Sequence, residues 1–376
     1  MRTHWLLVGL LFVVGLLAAA QFGKISLALG PLGDVYGRTD TQLALGVSLV
    51  GVVGILFGAT AGVMVGGIGA RRVILAALAL GAGLSVFQAV FPPYPVFLAT
   101  RVLEGVSHLA LVVAAPTIMA AVSASRDQSV VMGIWGMFFG VSFALMAVAL
   151  SILLPVIGLN GLYLAHGSLM ATLCVLLWPL LPRGMAAQSA QGWIDVHREI
   201  YSKVRIAAPA LCFLWHTLIF VALLTFMAPA LDAPWLAPLL PLIALLGTFG
   251  AGVAARWRAP DVVARIGFFG SIMFAVALLL TDALWTVFPF FFFVGIVPGA
   301  SFAAIPYLNK TSADQAGANG ALAQLGNVGT ASGTPIFALA LSGAGVNGLL
   351  WLTIVLSGLG FLVVWITAVL IQRQEV

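Results

Sequence analysis

Arg101, Glu104 and His108 stand at i, i+3 and i+7 in one apolar stretch, so a helix there presents all three on one face. Lys24 lies in another apolar stretch, three residues after Gln21. Ionisable groups in such surroundings are costly and tend to be functional. Lys24 or Arg101 would attract an anion, and Glu104 or His108 would carry a coupling proton. The competing reading is an Arg101–Glu104 structural pair, with Lys24 reaching outward along its alkyl stem. Gln324 and Asn327, also three apart, would face a cavity together, and Gln88 and Asn319 are further polar residues in apolar runs. His166 and His216 read first as hydrogen-bonded packing residues. Trp135, Trp215, Phe290 and Phe293 are candidates to line a pocket. No cluster with metal-ligand spacing and no catalytic constellation stands out, so neither a metal, a cofactor nor an enzyme is expected. The glycines at 66, 67 and 69 end an apolar run, which is the wrong setting for a phosphate-binding loop.

The elements that must carry these residues follow from composition. Of 376 residues, 62% are hydrophobic and only 7% are charged, against about 25% charged in soluble domains. That excludes an ordinary soluble protein, and the high hydrophobicity excludes disorder. The apolar runs are long and continuous, unlike the short alternating segments of a membrane β-barrel. They predict an all-α polytopic membrane protein with twelve transmembrane helices in two six-helix halves. The runs fall near 5–29, 41–66, 73–91, 96–122, 129–154, 161–181, 206–228, 235–255, 266–281, 284–308, 315–341 and 346–371. Turn signals separate them at 33–40, 92–93, 155–160, 232–234 and 342–343. The first run lacks a clear small-residue cleavage site and is expected to be a retained span. Cys174 and Cys212 both sit in apolar runs and suggest no disulfide. The expected organisation is 1–182 as the first half, 183–205 as a cytoplasmic linker and 206–376 as the second half. Trp193 and Ile194 beside charges suggest a short interfacial helix in that linker, although a simple tether is the plainer expectation.

Orientation follows from the basic residues. With the N-terminus inside, Arg2, Arg71, Arg72, Arg126, Arg183, Arg198, Lys203, Arg205, Arg256, Arg258, Arg265, Lys310 and Arg373 all fall on the cytoplasmic side. Arg38 alone falls outside, while Lys24 and Arg101 lie within spans. This asymmetry predicts an N-in, C-in topology. The net charge of +5 therefore marks loops and gives no sign of nucleic-acid binding.

Small residues let membrane helices approach closely. Gly54, Gly58, Gly62 and Gly66 repeat every four residues in the second run, and Gly136 and Gly140 do so in the fifth. Either fixed packing or a moving contact would use them. Pro116 and Pro335 are the best kink candidates among the prolines in spans.

The segment Gly62 to Arg72 resembles the signature of the major facilitator superfamily between its second and third spans, Gly-x-x-x-Asp-Arg-x-Gly-Arg-Arg/Lys. Gly62, Gly69, Arg71 and Arg72 fit it; Gly66 replaces the usual Asp and Gly67 the usual Arg. The resemblance implies a conformational-switch role for Gly62, Gly66, Gly69, Arg71 and Arg72, with a weakened charge network. The counterpart at 252–258 is more degenerate. Arg101 to Gly105 resembles the family's Arg-x-x-x-Gly signature in span four, which is linked with proton coupling; Glu104 stands where Gln is frequent. The antiporter pattern of span five is altered here: Gly136 and Gly140 are followed by Val141, and Ala144-Leu145 stands where a glycine pair would fall. Lys24 shortly before Gly30-Pro31-Leu32 is similar to the cyanate and nitroimidazole-type branch.

The resemblance implies a secondary transporter of a small anionic or polar organic solute, working by alternating access with a coupling proton. The site residues would be Gln21, Lys24, Arg101, Gln324 and Asn327 for substrate, with Glu104 and His108 for the proton. Proton-driven efflux of hydrophobic or amphipathic drugs is the alternative, disfavoured by the altered span five pattern. The expected partners are the small-molecule substrate and the lipid bilayer. A monomer in a bacterial inner membrane, crossing it many times, is expected.

Overall fold

In the computed structural model the described residues are 2–124, 127–183 and 192–374, and they are helical almost throughout. Arg126 and the linker residues 184–191 lie outside them. The chain divides into two compact units: Met1–Gly54 with Ala61–Gln191, and Ile55–Thr60 with Gly192–Val376.

The helices in chain order are α1 (Trp5–Ser26), α2 (Leu29–Tyr36), α3 (Asp40–Ile68), α4 (Ala70–Gln88), α5 (Tyr94–Ala121), α6 (Gln128–Gly136) and α7 (Phe138–Leu180). Then follow α8 (Trp193–Ser202), α9 (Val204–Ala230), α10 (Leu239–Ala254), α11 (Pro260–Thr281), α12 (Val287–Leu308) and α13 (Ser312–Arg373). Among the described residues, ten helical stretches are long and apolar enough to cross a membrane. The sequence divides the same apolar residues into twelve runs. The difference lies in α7 and α13, each of which holds more than one run.

Both long stretches are broken where the sequence places turns. The 62 residues of α13 would extend about 90 Å if straight, against about 30 Å of bilayer hydrocarbon. The backbone leaves the helical region at Gly158 in α7 (φ 64°, ψ −179°). In α13 it does so at Ala344 and Gly345, the latter at φ 60° and ψ −147°. Glycine takes these angles because it has no Cβ to clash. In the expected 33–40 turn, residues 33–36 still belong to α2, and Gly37, in a left-handed conformation, ends that helix before the short connection to α3. The fifth run is likewise divided, with α6 ending before Met137 and α7 starting after it.

Helix ends carry local signals. Thr39 caps α3, accepting from the Gln42 amide at 3.4 Å, while the Gln42 side chain accepts from the Thr39 amide at 3.2 Å. This reciprocal box satisfies donors that a helix start leaves open. Thr311 caps α13 in the same sense, accepting from the Asp314 amide at 3.1 Å.

In the first unit, α1, α4, α5 and α7 share a core that includes Leu11, Val14, Ile74, Leu111, Ile118, Met170 and Leu177. α3 and α5 approach so closely at Gly105 that a Cβ there would strike the Val50 carbonyl. In the second unit, Val263, Phe268, Ile296, Val297 and Val364 pack α11, α12 and α13 together.

Candidate functional site

The polar residues of the first unit converge at one place. α1 brings Gln21 and Lys24, α4 brings Ser85 and Gln88, α5 brings Thr100, Arg101, Glu104 and Ser107, and α7 brings Tyr163 and His166. Helical spacing does the positioning, since each helix contributes pairs three residues apart that fall on one face. Lys24, Arg101 and Glu104 are each 0% exposed.

Glu104 is the centre. Lys24 Nζ donates to its Oε1 at 2.5 Å, and Arg101 Nη1 donates to its Oε2. Gln88 Nε2 donates to Oε2 at 2.8 Å. The carboxylate thus acts only as an acceptor, as an ionised group does. Lys24 spends its other two donors on Gln88 Oε1 at 2.8 Å and Ser85 Oγ at 3.2 Å. Its ammonium also lies 4.8 Å from the centre of the Tyr163 ring, a favourable placement for a cation. Arg101 is fixed by two backbone carbonyls, those of Gly46 at 2.9 Å and Gln21 at 2.5 Å.

The expected Arg101–Glu104 pair is present, but the expectation for Lys24 needs correction. Lys24 does not reach outward; it turns inward and joins Arg101 on the same carboxylate. Arg101, Glu104 and His108 are all buried in this conformation. Two cations and one carboxylate leave the cluster with an excess positive charge. Removing charges from water is expensive, so an unmatched one is a conspicuous feature.

His108 stands beside the cluster. Its Nδ1 lies 2.9 Å from the Ala18 carbonyl and its ring meets Phe22 edge-on at 4.9 Å. Gln21 Nε2 donates to Ser107 Oγ at 3.1 Å, while Gln21 Oε1 and Tyr163 Oη are buried with no hydrogen-bond partner among the described residues. His166 contacts Ser85 Oγ at 3.0 Å through Nδ1 and the Leu17 carbonyl at 3.0 Å through Nε2. Ser85 and Tyr163 were not singled out by sequence. The Ser85–Gln88 spacing repeats that of Gln21–Lys24 and is the signal that points to α4.

Gln324 and Asn327 belong to the second unit and are engaged there. Gln324 accepts from Tyr201 Oη at 2.7 Å, donates to the Ile55 carbonyl at 2.7 Å and contacts His197 Nε2 at 3.0 Å. Asn327 donates back to the Ala323 carbonyl at 2.8 Å, one turn earlier in its own helix. His216 lines a small cavity with Phe268, Ser271 and Ser357. Trp135 stacks on Phe138 at 4.6 Å, and Phe293 stacks on Phe274 at 5.6 Å.

The Gly62–Arg72 segment forms the junction of α3 and α4. Gly69 alone connects the two helices, at φ 95°. Arg71 donates to the Trp178 carbonyl at 2.7 Å and its guanidinium lies 5.4 Å from the centre of the Trp178 ring. Arg72 is exposed. A Cβ on Gly62 would meet nothing within 4 Å.

Comparison with known proteins agrees with this architecture. The sequence profile described as Major Facilitator Superfamily matches residues 11–326. No curated protein sequence matches the chain. A solved structure with a similar fold is that of a bacterial homologue of the human lysosomal transporter Spinster, in an inward-facing and unoccupied conformation. The match covers 98% of this chain and 96% of that one, with a TM-score of 0.71 and 16% sequence identity. At that identity the likeness is one of fold. A profile match over most of the length, on a chain of apolar helices, identifies this protein as a multi-pass membrane transporter of the Major Facilitator Superfamily.

Proposed function

We propose that the protein is a secondary transporter that carries a small anionic or polar organic solute together with a proton. The observation that carries this reading is the pairing of two buried cations, Lys24 and Arg101, with a single carboxylate, Glu104. Protonation of Glu104 would release both cations from their partner. A substrate anion would then take its place, and Gln21 Oε1 and Tyr163 Oη would supply further polar contacts. One proton and one negative charge enter together, so the cluster returns to its original charge.

The remaining features of the reading belong with it. Twelve crossings would result if the breaks at Gly158 and Gly345 each separate two spans. The basic-residue asymmetry supports N-in, C-in topology in a bacterial inner membrane. The α3–α4 junction around Gly69 and Arg71 would move during alternating access. Lys24 before Gly30-Pro31-Leu32 supports a place near the cyanate and nitroimidazole-type carriers.

A thermal-shift screen of the purified protein tests the substrate class. A ligand that prefers the folded state raises the melting temperature. Small organic anions should stabilise the protein. Stabilisation by amphipathic cations, with none by anions, would overturn the reading and favour drug efflux.

A further inference from the structure

The side-chain amide of Gln324 is held from three sides, and one of them fixes its orientation. The Ile55 carbonyl only accepts, so the atom 2.7 Å from it is the amide nitrogen. Oε1 is left to accept from Tyr201 Oη at 2.7 Å. The second hydrogen on Nε2 meets His197 Nε2 at 3.0 Å. A donor there requires a lone pair on the ring, so the network assigns the His197 hydrogen to Nδ1.

Packing holds this hub in place. A Cβ on Gly58 would lie 2.7 Å from the Gln324 Cα, and one on Gly320 would lie 2.9 Å from the Ala59 carbonyl. The Ile55–Thr60 stretch of α3 and the early part of α13 therefore touch through their backbones. On α8, Val196 and Ile200 are buried, and Ile200 Cγ1 lies 3.4 Å from where a Cβ on Gly317 would stand. All three segments belong to the second unit.

A proton added to His197 breaks this arrangement in a way the amide cannot repair. An imidazolium carries a hydrogen on each nitrogen, so Nε2–H then faces an N–H of Gln324. Turning the amide over offers Oε1 to the imidazolium, but it also sets that oxygen against the Ile55 carbonyl, acceptor against acceptor. Either orientation forfeits one of the three arms.

We propose that α8, α13 and the Ile55–Thr60 stretch form an acid-sensitive clasp, closed while His197 is neutral and loosened when it takes up a proton. The step adds one proton at Nε2 and moves no electrons. It does not depend on which solute is carried. The basic-residue reading puts α8 on the cytoplasmic side, where the clasp responds to internal acidification.

The charged and titratable groups around His197 come from few elements. α8 itself carries Asp195, Arg198, Glu199 and Tyr201, whose ring centre is 6.2 Å from that of His197. Lys203 and Arg205 follow at the start of α9, α13 brings Asp314, and Ile55–Thr60 brings none. Lys203 bridges Glu199 at 3.1 Å and Asp314 at 3.7 Å. Carboxylates ordinarily titrate near about 4 and histidine near about 6.5, so mild acid acts on the imidazole and leaves those bridges ionised.

The test is backbone hydrogen exchange over Trp193–Ser202 in the full chain in liposomes. It is compared at about pH 7.5 and about pH 5.5, after correction for the intrinsic pH dependence of exchange. Wild-type protection of α8 should fall about fivefold at the lower pH, the effect of roughly one lost hydrogen bond. His197→Gln does not titrate and its amide supplies an acceptor, so its protection should be the same at both. Gln324→Glu puts a carboxylate in place of the donor, and a carboxylate accepts from an imidazolium. Its protection should rise at the lower pH, an inversion that general loosening by acid does not produce. Equal protection at both pH values in the wild type would overturn the clasp. So would a loss on acidification as large in His197→Gln or in Gln324→Glu as in the wild type.

Discussion

Lys24 Nζ lies 2.5 Å from Glu104 Oε1, with neither side chain exposed. The same carboxylate also binds Arg101, so one acid from α5 is shared between a cation from α1 and another from its own helix. Breaking such a buried arrangement from one side typically costs about 3–5 kcal/mol, because it strands a charge. Glu104→Ala strands two cations together and should fall at the upper end of that range. Lys24→Met leaves Glu104 still held by Arg101 and Gln88 and should cost distinctly less. Thermal unfolding of the two variants in detergent checks the order; equal losses would show that Lys24 and Arg101 do not share the charge as described.

The helix breaks make a second prediction. Gly158 and Gly345 hold backbone angles that other residues occupy only at a cost of about 1–3 kcal/mol. Gly158→Ala and Gly345→Ala should each lower stability by that amount. Neither glycine would place a Cβ against a neighbour, so any loss reports backbone strain alone. Unchanged melting temperatures would mean that the breaks do not depend on glycine.

A third prediction concerns α8. Tyr201 Oη donates to Gln324 Oε1 at 2.7 Å, and burial pushes the phenol from 10.0 up to about 12. The folded state therefore favours the protonated phenol. Its contribution is fully present below the unfolded value near 10 and is lost as pH rises through about 12. Because the side chain is 38% exposed, solvent screening keeps the effect small. Tyr201→Phe should cost about 0.5–1.5 kcal/mol at neutral pH, as for an ordinary hydrogen bond. It should also flatten the alkaline loss, as read by unfolding at pH 8 and above. An unaltered alkaline profile would show that Tyr201 does not contribute to it.

Much of this was legible in the sequence for physical reasons. Continuous apolar runs announce helices because lipid leaves no other partner for the backbone. The spacing of Arg101, Glu104 and His108 placed them on α5, but the partner helices could not be read from spacing. That is why Lys24 turning inward to Glu104, and Ser85 and Tyr163 joining them, appear only in three dimensions. Gln324 shows the opposite limit. Its polarity suggested a cavity, yet Tyr201 and the Ile55 carbonyl occupy it. The Pro155–Asn160 and Ser342-Gly343 turn signals marked the breaks in α7 and α13 to within a few residues, since glycine and proline act on the backbone locally.

The most direct measurement of the central claim is uptake into proteoliposomes of the anion that stabilises the protein most, with and without an imposed proton gradient. Uptake by the wild type should rise when the gradient drives protons in the same direction. Glu104→Gln, confirmed as folded by its melting transition, should lose that response. Uptake that ignores the gradient, and is the same in the wild type and in Glu104→Gln, would contradict the account.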